Sequence, residues 1–203
     1  MQTILPFLLL AGLSLLVVPD AHAKRPVPAF ALSLGPAVGV GGMGLGVQPR
    51  LEAGVVLPEL PDLTLSGTVA WAHWSPEGEA ADPRLDAGSY TWSLRQDDFA
   101  FGVSGDWAFG AQDQKLRPDA GLALGLTVVR SYVNGDAGGE ALGTTVELSS
   151  RPGLGAYGGV RYALGPGALL GRLELDLTPL VGQVTGDKLL FTVAPMVGYR
   201  IQL

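Results

Sequence analysis

The sequence predicts an all-β fold: an eight-stranded antiparallel transmembrane β-barrel, preceded by a cleavable signal peptide. Three observations predict it. An apolar leader opens the chain and ends in a cleavage-like triplet. Eight later segments alternate in character with a period of two. No segment after the leader is apolar for long enough to make a spanning helix, yet charged residues are only 16% of the chain, against about 25% in ordinary soluble domains. Only helices and closed barrels cross a membrane, because lipid satisfies no backbone N–H or C=O group.

The leader runs from Ile4 to Val18, with Pro6, Gly12 and Ser14 its only breaks. This is shorter than the roughly 20 apolar residues a spanning helix needs. Pro19 and Asp20 follow, then Ala21-His22-Ala23, with small residues where a signal peptidase reads them. Met1-Gln2-Thr3 carries no Lys or Arg, so the α-amino group supplies the positive charge. The expected division is a signal peptide at 1–23 and an outer-membrane barrel domain at 24–203.

Composition narrows the classes. The chain has no Cys, so disulfides, thiolate metal sites and a lipid-bearing cysteine are excluded. Its net charge is −6, which argues against nucleic acid, a partner that calls for a basic face. Gly accounts for 30 of 203 residues without collagen periodicity.

The alternation defines eight strands: Phe30–Val40, Leu45–Leu57, Leu63–Trp71, Phe99–Phe109, Leu122–Tyr132, Leu154–Leu164, Leu169–Val181 and Leu189–Leu203. In the last, Leu189, Phe191, Val193, Val197, Tyr199 and Ile201 fall on one face. Thr192, Ala194, Met196, Gly198, Arg200 and Gln202 fall on the other. Each segment is close to the length of a tilted membrane strand. Pro36, Pro49, Pro179 and Pro195 donate no ladder hydrogen bond and are expected at strand ends or bulges. The breaks at 58–62 and 165–167 are tight turns, and 110–118 is somewhat longer. On the opposite rim, 75–90 and 134–150 read as long loops and 41–44 and 182–188 as short ones. With eight strands, both termini fall on the short-turn, periplasmic side.

Alternation alone suits a soluble barrel with an apolar interior equally well. Three features favour the membrane form. The polar face is small, carrying Thr64, Ser66, Thr68, Ala70, Ala123, Gly125, Thr127, Ala194 and Gly198. Its charges balance, four against four: Arg50, Arg161, Arg172 and Arg200 with Glu52, Asp106, Glu174 and Asp176. Enclosed charges are tolerable when paired. The aromatics lie near strand ends, as two interfacial belts would. Trp71, Tyr132 and Phe191 approach the long-loop rim; Phe30, Trp107, Phe109, Tyr162 and Tyr199 approach the other.

In size, strand number, terminus placement and the final strand Phe191–Leu203, the mature chain resembles the OmpA/OmpX-like family of small outer-membrane barrels. That resemblance implies a last strand read by the barrel-assembly machinery. Val197, Tyr199 and Ile201 fit the pattern; Leu203 stands where the family usually has an aromatic residue.

Chemistry-bearing motifs are few. His73-Trp74-Ser75 is followed by Glu77 and Glu79. A serine, a histidine and a carboxylate are the minimal set for acyl transfer. The outward His-x-Ser pair resembles the layout in outer-membrane lipid A deacylases, but the surrounding motif and the strand position differ. The expected reading is a rim histidine beside an interfacial tryptophan, so no catalytic residue and no enzyme is assigned. The Gly-x-Gly spacings between Gly35 and Gly46 lack the following helix of a dinucleotide site. The acidic loop with Glu77, Glu79, Asp82 and Asp86 lacks EF-hand positions. No cofactor or metal is expected. Arg130 faces outward, where it can reach lipopolysaccharide phosphates.

The expected function is a structural or surface-interaction role for a barrel of the outer membrane, its interior plugged by the charged network. The alternatives are a narrow small-solute channel, a lipid A-modifying enzyme, and a soluble periplasmic barrel binding an apolar ligand. The expected partners are outer-membrane lipids and lipopolysaccharide, with the assembly machinery during biogenesis; the expected state is a monomer.

Overall fold

The computed structural model describes residues 25–40, 43–86, 88–179 and 189–203. The expected signal peptide at 1–23, Val181 and the loop at 182–188 lie outside the described residues. Those described form β1 (Val27–Val40), β2 (Gly44–Leu57), β3 (Leu60–Trp74), β4 (Glu77–Ala81), β5 (Ser89–Ala108), β6 (Leu116–Ala137), β7 (Glu140–Leu164), β8 (Gly167–Pro179) and β9 (Leu189–Gln202). Eight of them close a ring. Neighbouring strands pair antiparallel, β3 pairs with β5, and β1 pairs with both β2 and β9. Closure abolishes the unpaired edges that an open sheet would expose.

Parity decides which side chain goes where. Along β1, burial alternates residue by residue from Ala29 to Val40. The inward set is Ala29, Ala31, Ser33, Gly35, Ala37 and Gly39; the outward set includes Phe30, Leu32, Leu34, Val38 and Val40. The outward wall is apolar all round, with Leu51, Val103, Leu122, Leu124, Leu173 and Val197 exposed. Water would not tolerate a band of this extent on a monomer; hydrocarbon would. The expected aromatic residues all sit on this outer side, exposed or half-buried.

The strand limits differ from the sequence expectation on one rim. The segment at 134–150 is not a loop. β6 and β7 continue as a hairpin to a two-residue turn at Gly138-Gly139, both at positive φ. Turns of that kind need two left-handed residues, and Gly138 and Gly139 take that conformation here. The segment at 75–90 likewise contains β4, which pairs with the upper end of β5. At 22 and 25 residues, β6 and β7 outrun the roughly 9–11 a membrane strand needs. One side of the barrel therefore stands tall above the apolar wall. Below, β6 starts at Leu116, so the turn is shorter than the expected break at 110–118.

The prolines divide. Pro49 pairs with Leu34 within the β1–β2 ladder, and Pro179 ends β8. The β1–β9 ladder is broken between its Leu34–Val197 and Val38–Val193 pairs. Continuing that register places Pro36 opposite Pro195, so neither residue has an N–H to offer. Gly35 allows the close approach there, since a Cβ on it would lie 2.0 Å from the Pro195 carbonyl oxygen.

Candidate functional site

The lumen is filled at two heights. The lower layer is ionic. Arg200 spans Glu52 and Asp106: its Nη2 is 2.7 Å from Glu52 Oε2 and 2.8 Å from Asp106 Oδ1. Arg161 Nη2 donates to Asp106 Oδ2 at 2.6 Å. Arg172 donates to Asp119 Oδ2 at 2.6 Å and to Glu52 Oε1 at 3.2 Å. Arg50 Nη1 donates to Glu174 Oε2 at 2.8 Å. These partners come from six strands, β2, β5, β6, β7, β8 and β9. The layer therefore braces the barrel across its diameter rather than between neighbours. Removing charges from water costs several kcal/mol each, which good pairing geometry must offset. The shared carboxylates of Glu52, Asp106 and Asp119 supply that pairing.

The structure thus brings together seven of the eight charged residues singled out in the sequence. Asp176 forms none of these ion pairs, although Arg50 attracts it and Gln48 hydrogen-bonds to it. It sits higher, half-buried, and lines a cavity of about 80 Å³ with Gln48, Arg50, Thr68, Asp98 and Thr127. Asp119 takes its place in the ion pairs. It was overlooked because β6 begins at Leu116 rather than Leu122. Extending the parity of Ala123, Gly125 and Thr127 downward puts 119 on the inner face. Tyr157 was also overlooked. Its ring lies under two guanidinium groups, 4.7 Å from Arg172 and 5.5 Å from Arg50. Such contacts gain strength in a dry site.

The upper layer is apolar. Trp74, Leu94, Val129, Leu190 and Met196 pack together across the lumen with Ala37, Met43, Ala72 and Ala194. Trp74 is 1% exposed and fits because Gly46 stands beside it. A Cβ there would lie 2.8 Å from the indole and 2.2 Å from the His73 carbonyl oxygen. Even positions of β3 point inward, so the tryptophan between His73 and Ser75 packs inside the lumen rather than joining the interfacial belt.

On the outside of the same rim, His73 meets Ser75, but its carboxylate partner is neither Glu77 nor Glu79. Glu77 is exposed, and Glu79 accepts a hydrogen bond from Ser89. The carboxylate at the imidazole is Asp97, directly opposite on β5, with its Oδ1 2.8 Å from His73 Nδ1. Ser75 Oγ is 3.0 Å from His73 Nε2. Arg130 is exposed, with its guanidinium 4.6 Å from the Tyr132 ring. No group of His, Cys, Asp and Glu among the described residues forms a metal cluster.

No protein-family model matches the chain, and no curated protein matches it in sequence. Solved structures do match. Neisserial surface protein A shares 20% identity at a TM-score of 0.56, covering 87% of this chain and 97% of its own. A major outer membrane protein from Thermus thermophilus shares 13% identity at a TM-score of 0.53, covering 87% and 99%. The fold is that of the small outer-membrane β-barrels, as the sequence resemblance implied. Its apolar outer wall is the surface such a barrel turns to lipid.

Proposed function

We propose that the protein is a closed, monomeric barrel of the outer membrane, shut to solutes, with a structural role or one exercised through contacts at its tall rim. The observation that supports this reading is the lumen itself. An ionic layer and an apolar layer occlude it at different heights, and the cavity between them holds no more than a few waters. Ring closure supports the monomer, because no wall strand is left with an open edge. The reading includes export by residues 1–23 and insertion by the barrel-assembly machinery with β9 as the strand it reads. The Neisserial protein is named a surface protein, in keeping with contacts made by the β4–β5 and β6–β7 projections.

Reconstitution into planar bilayers tests the closed lumen. The expected result is silence; discrete single-channel steps would favour the narrow channel instead. Membrane fractionation with heat-modifiable gel mobility tests the placement. Recovery in the soluble periplasm would return the reading to a ligand-binding barrel.

A further inference from the structure

We infer that Ser75, His73 and Asp97 form a hydrolytic site for acyl esters of outer-leaflet lipids. Three side chains from two strands meet in the order that nucleophilic acyl transfer requires. Ser75 Oγ lies 3.0 Å from His73 Nε2, and His73 Nδ1 lies 2.8 Å from Asp97 Oδ1. The tautomer protonated at Nδ1 satisfies both bonds: Nδ1–H donates to Asp97, and Nε2 accepts from the serine hydroxyl. Exposure is graded in the same order. Ser75 is open, His73 is half-buried, and Asp97 is covered. Trp71 Nε1 donates to the same Asp97 oxygen at 3.2 Å and fixes its orientation. A histidine placed at the rim merely as an amphipathic anchor needs neither the serine nor a carboxylate clamped from a second direction.

The register explains the assembly. His73 and Asp97 are cross-strand partners in the β3–β5 ladder. Positions 73 and 75 share the outward face. The strand stops at Trp74, where Pro76 accepts a backbone hydrogen bond from Leu94 at 2.8 Å and holds the segment against β5. Continuing the ladder places Arg95 opposite Ser75. Its Nε is 3.6 Å from Asp97 Oδ2, and most of its side chain is exposed.

The surroundings define the substrate class. Directly below the site, Trp71 pairs with Phe99 and Val69 with Phe101, all on the apolar outer wall. Beside it, Arg130 stands opposite Asp97 on β6. An acyl chain would lie along the wall, and an anionic or polar headgroup would lie between Arg95 and Arg130. The ester linkage, between chain and headgroup, then falls at the height of Ser75.

The chemistry balances with water as co-reactant. Ser75 Oγ adds to the ester carbonyl carbon as its proton passes to His73 Nε2. Arg95, opposite Ser75 in the continued ladder, is the cation that would serve the oxyanion formed. The C–O bond to the alcohol breaks, and the alcohol takes the proton from His73. Water then adds to the acyl-serine and gives a proton to His73. The acid departs, and the proton returns to Ser75 Oγ. Asp97 is a positioning residue, holding the imidazole for both steps.

This inference rests on the outer-membrane placement and not on the closed lumen, so its failure is separable from that of the channel test. The folded barrel in detergent is incubated with phosphatidylethanolamine vesicles and, separately, with lipopolysaccharide micelles, and released fatty acid is measured. Release from either is expected, and the substrate that responds identifies the lipid. Ser75→Ala is expected to lower it by roughly a thousand-fold, with unchanged heat-modifiable mobility showing that the variant is folded. Asp97→Asn is expected to lose at least about a hundred-fold and Asp97→Glu to regain part of that. Release from both lipids no greater than that of Ser75→Ala overturns the proposal.

Discussion

Gly121 on β6 stands directly opposite Tyr157 on β7, and the tyrosine ring occupies the space a side chain at 121 would need. A Cβ there would lie 2.4 Å from Tyr157 Cζ and 2.6 Å from the Gly105 carbonyl oxygen. Gly121→Ala therefore forces the ring away from Arg172 and Arg50. The expected loss is about 1–3 kcal/mol, the cost of overpacking a filled interior. Urea unfolding in lipid vesicles measures it. In a Tyr157→Ala background, only the part of the penalty owed to the ring should vanish, because the Gly105 carbonyl oxygen still stands in the way.

Asp106 accepts from Arg161 and from both terminal nitrogens of Arg200. Asp106→Ala leaves two enclosed guanidinium groups short of their main anion. A loss of about 3–5 kcal/mol is expected, as for breaking any buried pair from one side. Asp106→Asn, which keeps the shape and an acceptor, should cost less. Both differences should persist at high salt, since the enclosed layer is poorly screened. Unfolding midpoints at two salt concentrations check both statements.

The proposed closure rests on two layers at different heights, so neither alone should be required for it. Trp74→Ala, which opens only the apolar layer, is expected to remain silent in planar bilayers. Paired replacement of Arg172 and Asp119 by serine, which thins only the ionic layer without leaving a lone charge, should also remain silent. The triple variant is expected to conduct. Conductance from either partial variant would mean that one layer alone closes the lumen.

Outside the membrane, the β4–β5 projection carries an exposed pair. Arg84 donates to Asp82 from its backbone N–H, Nε and Nη2. These hydrogen bonds hold the Asp82 carboxyl down at about 2, below the usual carboxylate range. A lowered folded-state value means that the contact is complete above the ordinary aspartate range and is lost as the pH falls through about 2. A carboxyl ¹³C titration should show a midpoint near 2. In Arg84→Ala, the midpoint should return toward the ordinary range, near 4.

The sequence reading and the structure part company where partners are far apart along the chain. Parity placed Arg50, Glu52, Asp106, Arg161, Arg172, Glu174 and Arg200 on the inner face, because a period of two is a local property. It could not say that Arg172 reaches Asp119 rather than Asp176. That choice depends on which strands face each other across the ring and on strand height. The same limit hid the carboxylate at His73. Glu77 and Glu79 are near in sequence, but Asp97, 24 residues away, is brought opposite by the β3–β5 register. The segment at 134–150, expected as a loop, is a hairpin for a similar reason. Asn134-Gly135 and Gly138-Gly139 both suit a turn, and pairing of the long strands selected the second.

The sequence by itself determined an all-β chain with one apolar face, one face of small and charged residues, and eight wall strands. Those follow from alternation, from the lack of a spanning helix and from the need to satisfy every backbone group in lipid. Only the tertiary structure decided which charges pair, that a tryptophan packs inside the lumen, and that a serine, a histidine and an aspartate meet on the outer rim. Each depends on the stagger between strands. A shift of one residue there leaves the composition untouched and turns every side chain to the opposite face.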